Sequence, residues 1–197
     1  GTYNSEDKIG GTSHAYTLGG YSDKITVDER FVLQIPDNLD SAAAAPLLCA
    51  GITTYSPLKH WDIGVGHKVG IIGLGGLGHM GVNFLLNTIP VGHDTDPYME
   101  LLKREATMVI VGAIEVLTKV SGIPLIFRRR NMAGSFIGGL PETQEMLDFC
   151  GKHNITCDIE MIDMQNVNIA YDRTIKGDVK YRFVIDMATL KTVDDKL

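Results

Sequence analysis

The sequence predicts an α/β fold built on a doubly wound parallel sheet, and three observations predict it. A strand, a glycine turn and a helix follow one another between residues 67 and 79; short apolar runs of strand length recur after them; and helical patterns separate those runs. Strands alternating with helices are the mark of parallel βαβ packing. The 197 residues suffice for one or two domains with at least one good core. An apolar fraction of 44%, a charged fraction of 21% and a mean hydropathy near zero exclude a disordered linker.

Taken in order, residues 10–20 are rich in Gly, Ser and Thr and read as loop. Tyr21 to Ile35 alternates well enough for two short strands, closed by Pro36-Asp37-Asn38. Asp40 or Ser41 is placed to cap a helix through Ala42 to Ala45, and a second helical segment continues past Pro46 toward Thr54, Tyr55 and Leu58. His67-Lys68-Val69-Gly70-Ile71-Ile72 then reads as a buried strand, followed by Gly73-Leu74-Gly75-Gly76-Leu77-Gly78 opening a helix at His79. Phe84 to Asn87, Thr107 to Val111 and Met132 to Ile137 read as further buried strands of the same parallel sheet. Pro141 at a first-turn position, with Glu142 and Glu145 behind it, starts an amphipathic helix to about Gly151. The tail gives a strand (155–162), a helix (163–176) and a strand (182–186).

Several function classes are excluded early. The longest apolar stretches, 41–50 and 109–114, fall far short of the roughly 18 residues a membrane span needs. No basic region followed by an apolar stretch marks an export signal, so a cytoplasmic location is the default expectation. A net charge of −6 argues against nucleic acid or an anionic membrane as partner, and Arg128-Arg129-Arg130 reads as a solvated face. Cys49, Cys150 and Cys157 are an odd count without a C-x-x-C pair, which fits reduced thiols better than a disulfide framework. Cys150 and Cys157 read as core, the first on the apolar face of a helix and the second in a strand.

The pattern Gly73-x-Gly75-x-x-Gly78 carries the chemistry. The first glycine permits a tight turn, the second lets the backbone approach a pyrophosphate, and the third lets helix and strand pack closely. Free N–H groups at the helix start then meet the phosphates. The acidic partner of this motif, about 20 residues on, contacts the adenosine ribose. Asp94 and Asp96 are near that distance but follow a different strand, so they read as ordinary loop acids and leave nucleotide preference open. Cys49 alone reads as a small buried hydrophobe.

The run Pro46-Leu47-Leu48-Cys49-Ala50-Gly51-Ile52-Thr53-Thr54-Tyr55-Ser56-Pro57-Leu58, with the glycine loop shortly after, resembles the cinnamyl-alcohol-dehydrogenase branch of the zinc-dependent medium-chain alcohol dehydrogenases. Within that branch it is similar to the bacterial broad-range aldehyde reductases. The resemblance covers nearly the whole chain, from Gly1-Thr2-Tyr3-Asn4 and Thr17 to Ser22, through Gly73 to Gly81 and Leu86-Asn87-Thr88, to Gly138-Gly139, Pro141 to Phe149 and Asp178 to Asp186. It implies a Rossmann nucleotide-binding domain over 36–154, flanked by remnants of a β-rich, GroES-like catalytic domain at 1–35 and 155–197. It implies hydride transfer between NADP(H) and a primary alcohol or aldehyde, aromatic ones among them, with NADP and zinc as cofactors. Cys49 then matches the third protein ligand of the catalytic zinc, and Thr53 lies against the nicotinamide half of the cofactor. Gly73, Leu74, Gly75, Gly76, Leu77 and Gly78 form the phosphate loop. Val111, Gly112, Ser135 and Ile137 flank the nicotinamide and its carboxamide, with Thr88 also among the cofactor contacts. A homodimer is an assembly the resemblance allows.

The family pattern also demands segments this chain lacks. There is no Cys-Gly-x-Cys-His-Ser, no Gly-His-Glu and no four-cysteine loop, so Cys49 supplies one of the three protein ligands a catalytic zinc needs. These residues taken alone therefore also fit a catalytically inactive nucleotide-binding piece of such an enzyme. A further expectation concerns the join at Val82. Seven helical residues from Gly76 rise about 10 Å, roughly half the 17–20 Å length of a strand, and parallel strands need crossovers of about a dozen residues or more. The resemblance jumps at the same place, from the first helix to the fourth strand, so Val82 and Asn83 are expected not to be neighbours in the parent polypeptide, with about 30 residues or more left out.

Overall fold

The computed structural model describes residues 20–22, 24–73 and 82–190. The glycine loop beyond Gly73 and the helix expected at His79 lie outside the described residues. The Asp40 carboxylate accepts from the backbone N–H of Ala43 at 2.8 Å and so starts α1 (Ser41–Ala44). Pro46 has no N–H to continue the α pattern, and a 3₁₀ turn (Ala45–Leu48) carries the chain to Cys49, where α2 (Ala50–His60) begins. Then come β1 (Val69–Ile72), β2 (Val82–Asn87), α3 (Asp96–Leu101), β3 (Leu102–Ile110), α4 (Gly122–Arg128), β4 (Asn131–Gly134) and α5 (Leu140–His153). A second unit holds β5 (Ile159–Asp163), α6 (Val167–Ile175) and β6 (Arg182–Asp186).

Strands β1 to β4 form one parallel sheet in that spatial order, with Ile71 opposite Leu86, Leu86 opposite Val109 and Val109 opposite Ala133. Successive side chains of a strand point to opposite faces, and both faces are covered here. Phe84, Leu86 and Val109 pack against Leu58, Trp61 and Ile63, from α2 and the turn after it. Leu85, Met108 and Ile72 pack on the other side against Met99 of α3, Leu102 and Leu125 of α4. Helices on both faces make the sheet doubly wound. A third cluster joins Ala44, Leu47 and Ile52 to Met146, Leu147 and Cys150 of α5, seating α2 against α5. Full burial of one side chain such as Leu85 or Leu147 stabilises the fold by about 2 kcal/mol relative to exposing it.

The structure corrects several expectations. Between residues 24 and 35 there is no strand, only a 3₁₀ turn (Glu29–Phe31) capped by Asp28. The pattern of a strand is present, but a strand needs a neighbour to complete its hydrogen bonds, and among the described residues its backbone is met at long range by the side-chain amide of Gln144, which bonds both Gln34 N–H and its carbonyl. Ile25 and Val32 consequently stand 65% and 60% exposed. β1 is an edge strand and not wholly buried, since Val69 and Ile71 face outward. β4 stops at Gly134, because the chain bends out of the ladder and Ile137 adopts φ 47°. Cys157 lies in the connector before β5 and not in a strand; it is half-buried against the α1–α5 cluster, with its N–H on the carbonyl of Ala43. Arg130 is 8% exposed and belongs to no solvated face: its guanidinium donates to the carbonyls of Leu102, Pro124 and Glu100.

At the join, Val82 and Asn83 are consecutive residues of the single strand β2. Nine residues, 73–81, link β1 to β2, fewer than a parallel crossover normally takes, and the β2–β3 pairing shifts register between Val82 and Phe84. None of the described helices is long and apolar enough to cross a membrane.

Candidate functional site

Parallel strands deliver all their carboxyl ends to one edge of the sheet, and that edge is where open α/β sheets bind ligands. Here it consists of Gly73 after β1, Thr88 after β2, Val111 and Gly112 after β3, and Ser135 after β4. Each tip is tied to its neighbour. The carbonyl of Ile72 accepts both the N–H (3.0 Å) and the hydroxyl (2.7 Å) of Thr88. The carbonyl of Asn87 accepts the N–H groups of Val111 (2.9 Å) and Gly112 (3.2 Å), and that of Ile110 accepts Ser135 N–H at 3.0 Å. Two tips leave room only for glycine. Gly73 has φ 114°, and a Cβ there would collide with Thr88 Oγ1; a Cβ on Gly112 would collide with the carbonyl of Ile89.

Beside the β4 tip lies an open cleft of about 440 Å³, lined by Ser56, Lys59, His60 and Trp61 on one wall and Gly134, Ser135 and Glu142 on the other. Lys59 is bound to Glu145, which also accepts the hydroxyl of Tyr55 at 3.0 Å. The Lys59 ammonium and the Tyr55 hydroxyl together hold the Glu145 carboxyl below the ordinary carboxylate range. Partial burial, reinforced by Glu145, pushes the Tyr55 phenol up.

Cys49 is exposed at the start of α2. Its carbonyl accepts both the N–H (3.1 Å) and the hydroxyl (2.7 Å) of Thr53, so the Thr53 hydroxyl proton is committed within its own helix turn. Ile137 follows β4 in a left-handed conformation and is 39% exposed, next to the tightly packed Gly138, where a Cβ would collide with Ile52. Leu74, Gly75, Gly76, Leu77 and Gly78 lie outside the described residues. Two residues at this edge escape a sequence reading: Asn87, fully buried at the end of β2, and His93, hydrogen-bonded to it. The available signal was a polar residue closing the apolar run Phe84-Leu85-Leu86.

No family model matches the chain. The aldehyde reductase YahK of Escherichia coli K12 is 46% identical over 241 residues, covering 96% of this chain and 68% of that protein. NADP-dependent alcohol dehydrogenase C 1 of Mycolicibacterium smegmatis is 43% identical, covering 98% of this chain and 67% of that protein. Among solved structures, the cinnamyl alcohol dehydrogenase of Helicobacter pylori complexed with NADP(H) superposes with a TM-score of 0.79 at 34% identity, over 88% of this chain and 63% of that one. The chain belongs to the cinnamyl-alcohol-dehydrogenase branch of the medium-chain alcohol dehydrogenases.

This dehydrogenase chain spans about two thirds of the length of its curated relatives. The match to the reductase runs over 241 positions, whereas 96% of 197 residues supplies only about 189 of them. About 50 positions within the aligned region therefore have no counterpart here. For NADP(H), the described residues fit in part: the positive φ of Gly73 and the row of strand tips match what a dinucleotide needs at a sheet edge. Zinc does not fit these residues alone. Among the described residues no three His, Cys, Asp or Glu side chains gather as ligands, and Cys49 is one ligand where three are needed.

Proposed function

We propose that this chain is the cofactor-binding part of an NADP-dependent oxidoreductase that transfers hydride between NADP(H) and a primary alcohol or aldehyde, aromatic aldehydes of the cinnamyl type among them. The observation that carries this reading is the 46% identity to an aldehyde reductase across 96% of the chain. That identity favours an enzyme over an inactive nucleotide-binding piece. The cofactor supplies the hydride chemistry when bound. This chain's part is placement: Gly73 turns the backbone at the phosphate end, while Val111, Gly112, Ser135 and Ile137 would flank the nicotinamide. Thr88 serves that edge by pinning the β1 tip through Ile72, and Thr53 approaches from α2.

Cys49 would be a zinc ligand only together with residues from beyond this sequence. The positions unmatched in the reductase are proposed to fall between β1 and β2, where the nine-residue link is short and the ribose-contacting segment of such folds lies. Preference for NADP over NAD follows the relatives' names and not a side chain of this sheet.

Steady-state reduction of cinnamaldehyde by the intact parent enzyme, which carries the remaining zinc ligands, with NADPH and NADH compared, tests the proposal. Turnover favouring NADPH is expected. NADPH binding without turnover would return the chain to the inactive reading, and equal or better efficiency with NADH would overturn the cofactor assignment.

A further inference from the structure

Behind the strand tips lies a polar relay. Asn87 is 0% exposed at the last position of β2, and a buried amide persists only when its hydrogen bonds are made. Its Oδ1 accepts the backbone N–H of Ile89 at 3.2 Å, its Nδ2 lies 3.0 Å from His93 Nε2, and His93 Nδ1 lies 2.8 Å from the carbonyl of Val91. Both ends of this chain of bonds are backbone. The Ile89 N–H can only donate and the Val91 carbonyl can only accept. Asn87 must therefore turn its oxygen to Ile89 and its NH₂ to His93, so His93 Nε2 accepts and Nδ1 carries the only proton. One arrangement satisfies all three contacts, and it requires a neutral imidazole.

The relay's position gives it a use. The Asn87 carbonyl holds the N–H groups of Val111 and Gly112. Ile89, oriented by the Asn87 side chain, sets its own carbonyl where a side chain on Gly112 would be. The relay thus fixes the loop against which the β3 tip is laid.

We propose that Asn87 and His93 are positioning residues for the nicotinamide half of the cofactor, acting only while His93 carries a single proton. This rests on the cofactor reading above. A second proton, on Nε2, would set two donors face to face. Asn87 cannot answer by flipping, because Ile89 N–H needs its oxygen. The ring of Tyr98 in α3 meets His93 edge-on at 5.9 Å. Asp94, next in the chain, is held by Lys119 at 3.2 Å; Lys119 also binds Asp96 at 3.1 Å, and Asp96 bonds Ser121.

The test is NADPH affinity between pH 5.5 and 8, by fluorescence titration, in the wild type, His93→Gln and Asn87→Asp, with ¹⁵N NMR of the His93 ring. The wild type should bind about fivefold more weakly on the acid side, the weight of one buried hydrogen bond. His93→Gln, whose amide oxygen accepts from Asn87 without titrating, should lose that step while keeping any pH dependence of the nucleotide itself. Asn87→Asp, whose carboxylate accepts from both Ile89 and a charged His93, should lose it too. NMR should show Nδ1 protonated and Nε2 bare at neutral pH. An unchanged pH profile in His93→Gln, or a proton on Nε2 at neutral pH, overturns the proposal. A wild type that binds no NADPH at any pH overturns the cofactor reading and the positioning role together, and the tautomer then reports separately whether the relay stands.

Discussion

The hydroxyl of Thr88 occupies the space that a side chain on Gly73 would need. Thr88 is fixed there by its bond to the Ile72 carbonyl, so the tips of β1 and β2 interlock only through a glycine with positive φ. Gly73→Ala adds both a collision and an unfavourable backbone conformation. It should lower stability by about 2 kcal/mol, read from urea unfolding. A variant as stable as the wild type would show that the two tips do not meet in this way.

Arg130 makes a second, purely architectural prediction. Its guanidinium ties the end of α3, the start of β3 and α4 through three carbonyls, and burial pulls its pKa below the ordinary arginine value. Arg130→Leu leaves those carbonyls without their donor and should cost about 2–4 kcal/mol. Arg130→Lys, a point charge without the fork, should fall between. Chemical denaturation of both variants decides it; Leu and wild type unfolding together would contradict the account.

The strands of the main sheet were legible because Phe84-Leu85-Leu86 and Thr107 to Val111 are apolar on both faces, which only a covered parallel strand needs. The helix over Leu140–His153 was legible from Pro141 and its acidic first turn. What failed was non-local. Residues 24–35 have strand periodicity, but a strand also needs a partner, and periodicity does not reveal one. The buried role of Arg130 depends on carbonyls about 6 to 30 residues away, and the Asn87–His93 pair depends on a loop fold that no local pattern encodes. Of the expected site, the strand-tip residues were brought to one edge, whereas Cys49 is exposed and, among the described residues, no set of three ligands gathers.

Glu145 gives a pH prediction. Bonds from Lys59 and Tyr55 depress its folded-state pKa, so its contribution to stability is present above the unfolded value, about 4.3 for glutamate, and is lost as pH falls through the still lower folded value. Tm should therefore fall more steeply with acidification in the wild type than in Glu145→Gln. The group is half exposed, so the difference should be small and should shrink in high salt. Parallel acid profiles for the two proteins would contradict the pairing.

Thiol labelling separates the three cysteines. Cys49 is exposed, whereas burial pushes the Cys150 and Cys157 thiols up and away from reactive thiolate. A disulfide reagent at neutral pH should react fast with one thiol per chain, and Cys49→Ser should remove that fast phase. Persistence of the fast phase in the variant would mean that the α1–α5 cluster does not shield Cys150.

In the proposed function NADP(H) lies along the carboxyl edge of the four-stranded sheet. Titration of the ¹⁵N-labelled protein with NADPH, followed by amide chemical shifts, tests it most directly. Saturable shifts at Gly73, Thr88, Val111, Gly112, Ser135 and Ile137 are predicted. No saturable shifts, or shifts confined to the separate cavity of about 230 Å³ between Tyr21, Tyr171 and Phe183, would contradict it.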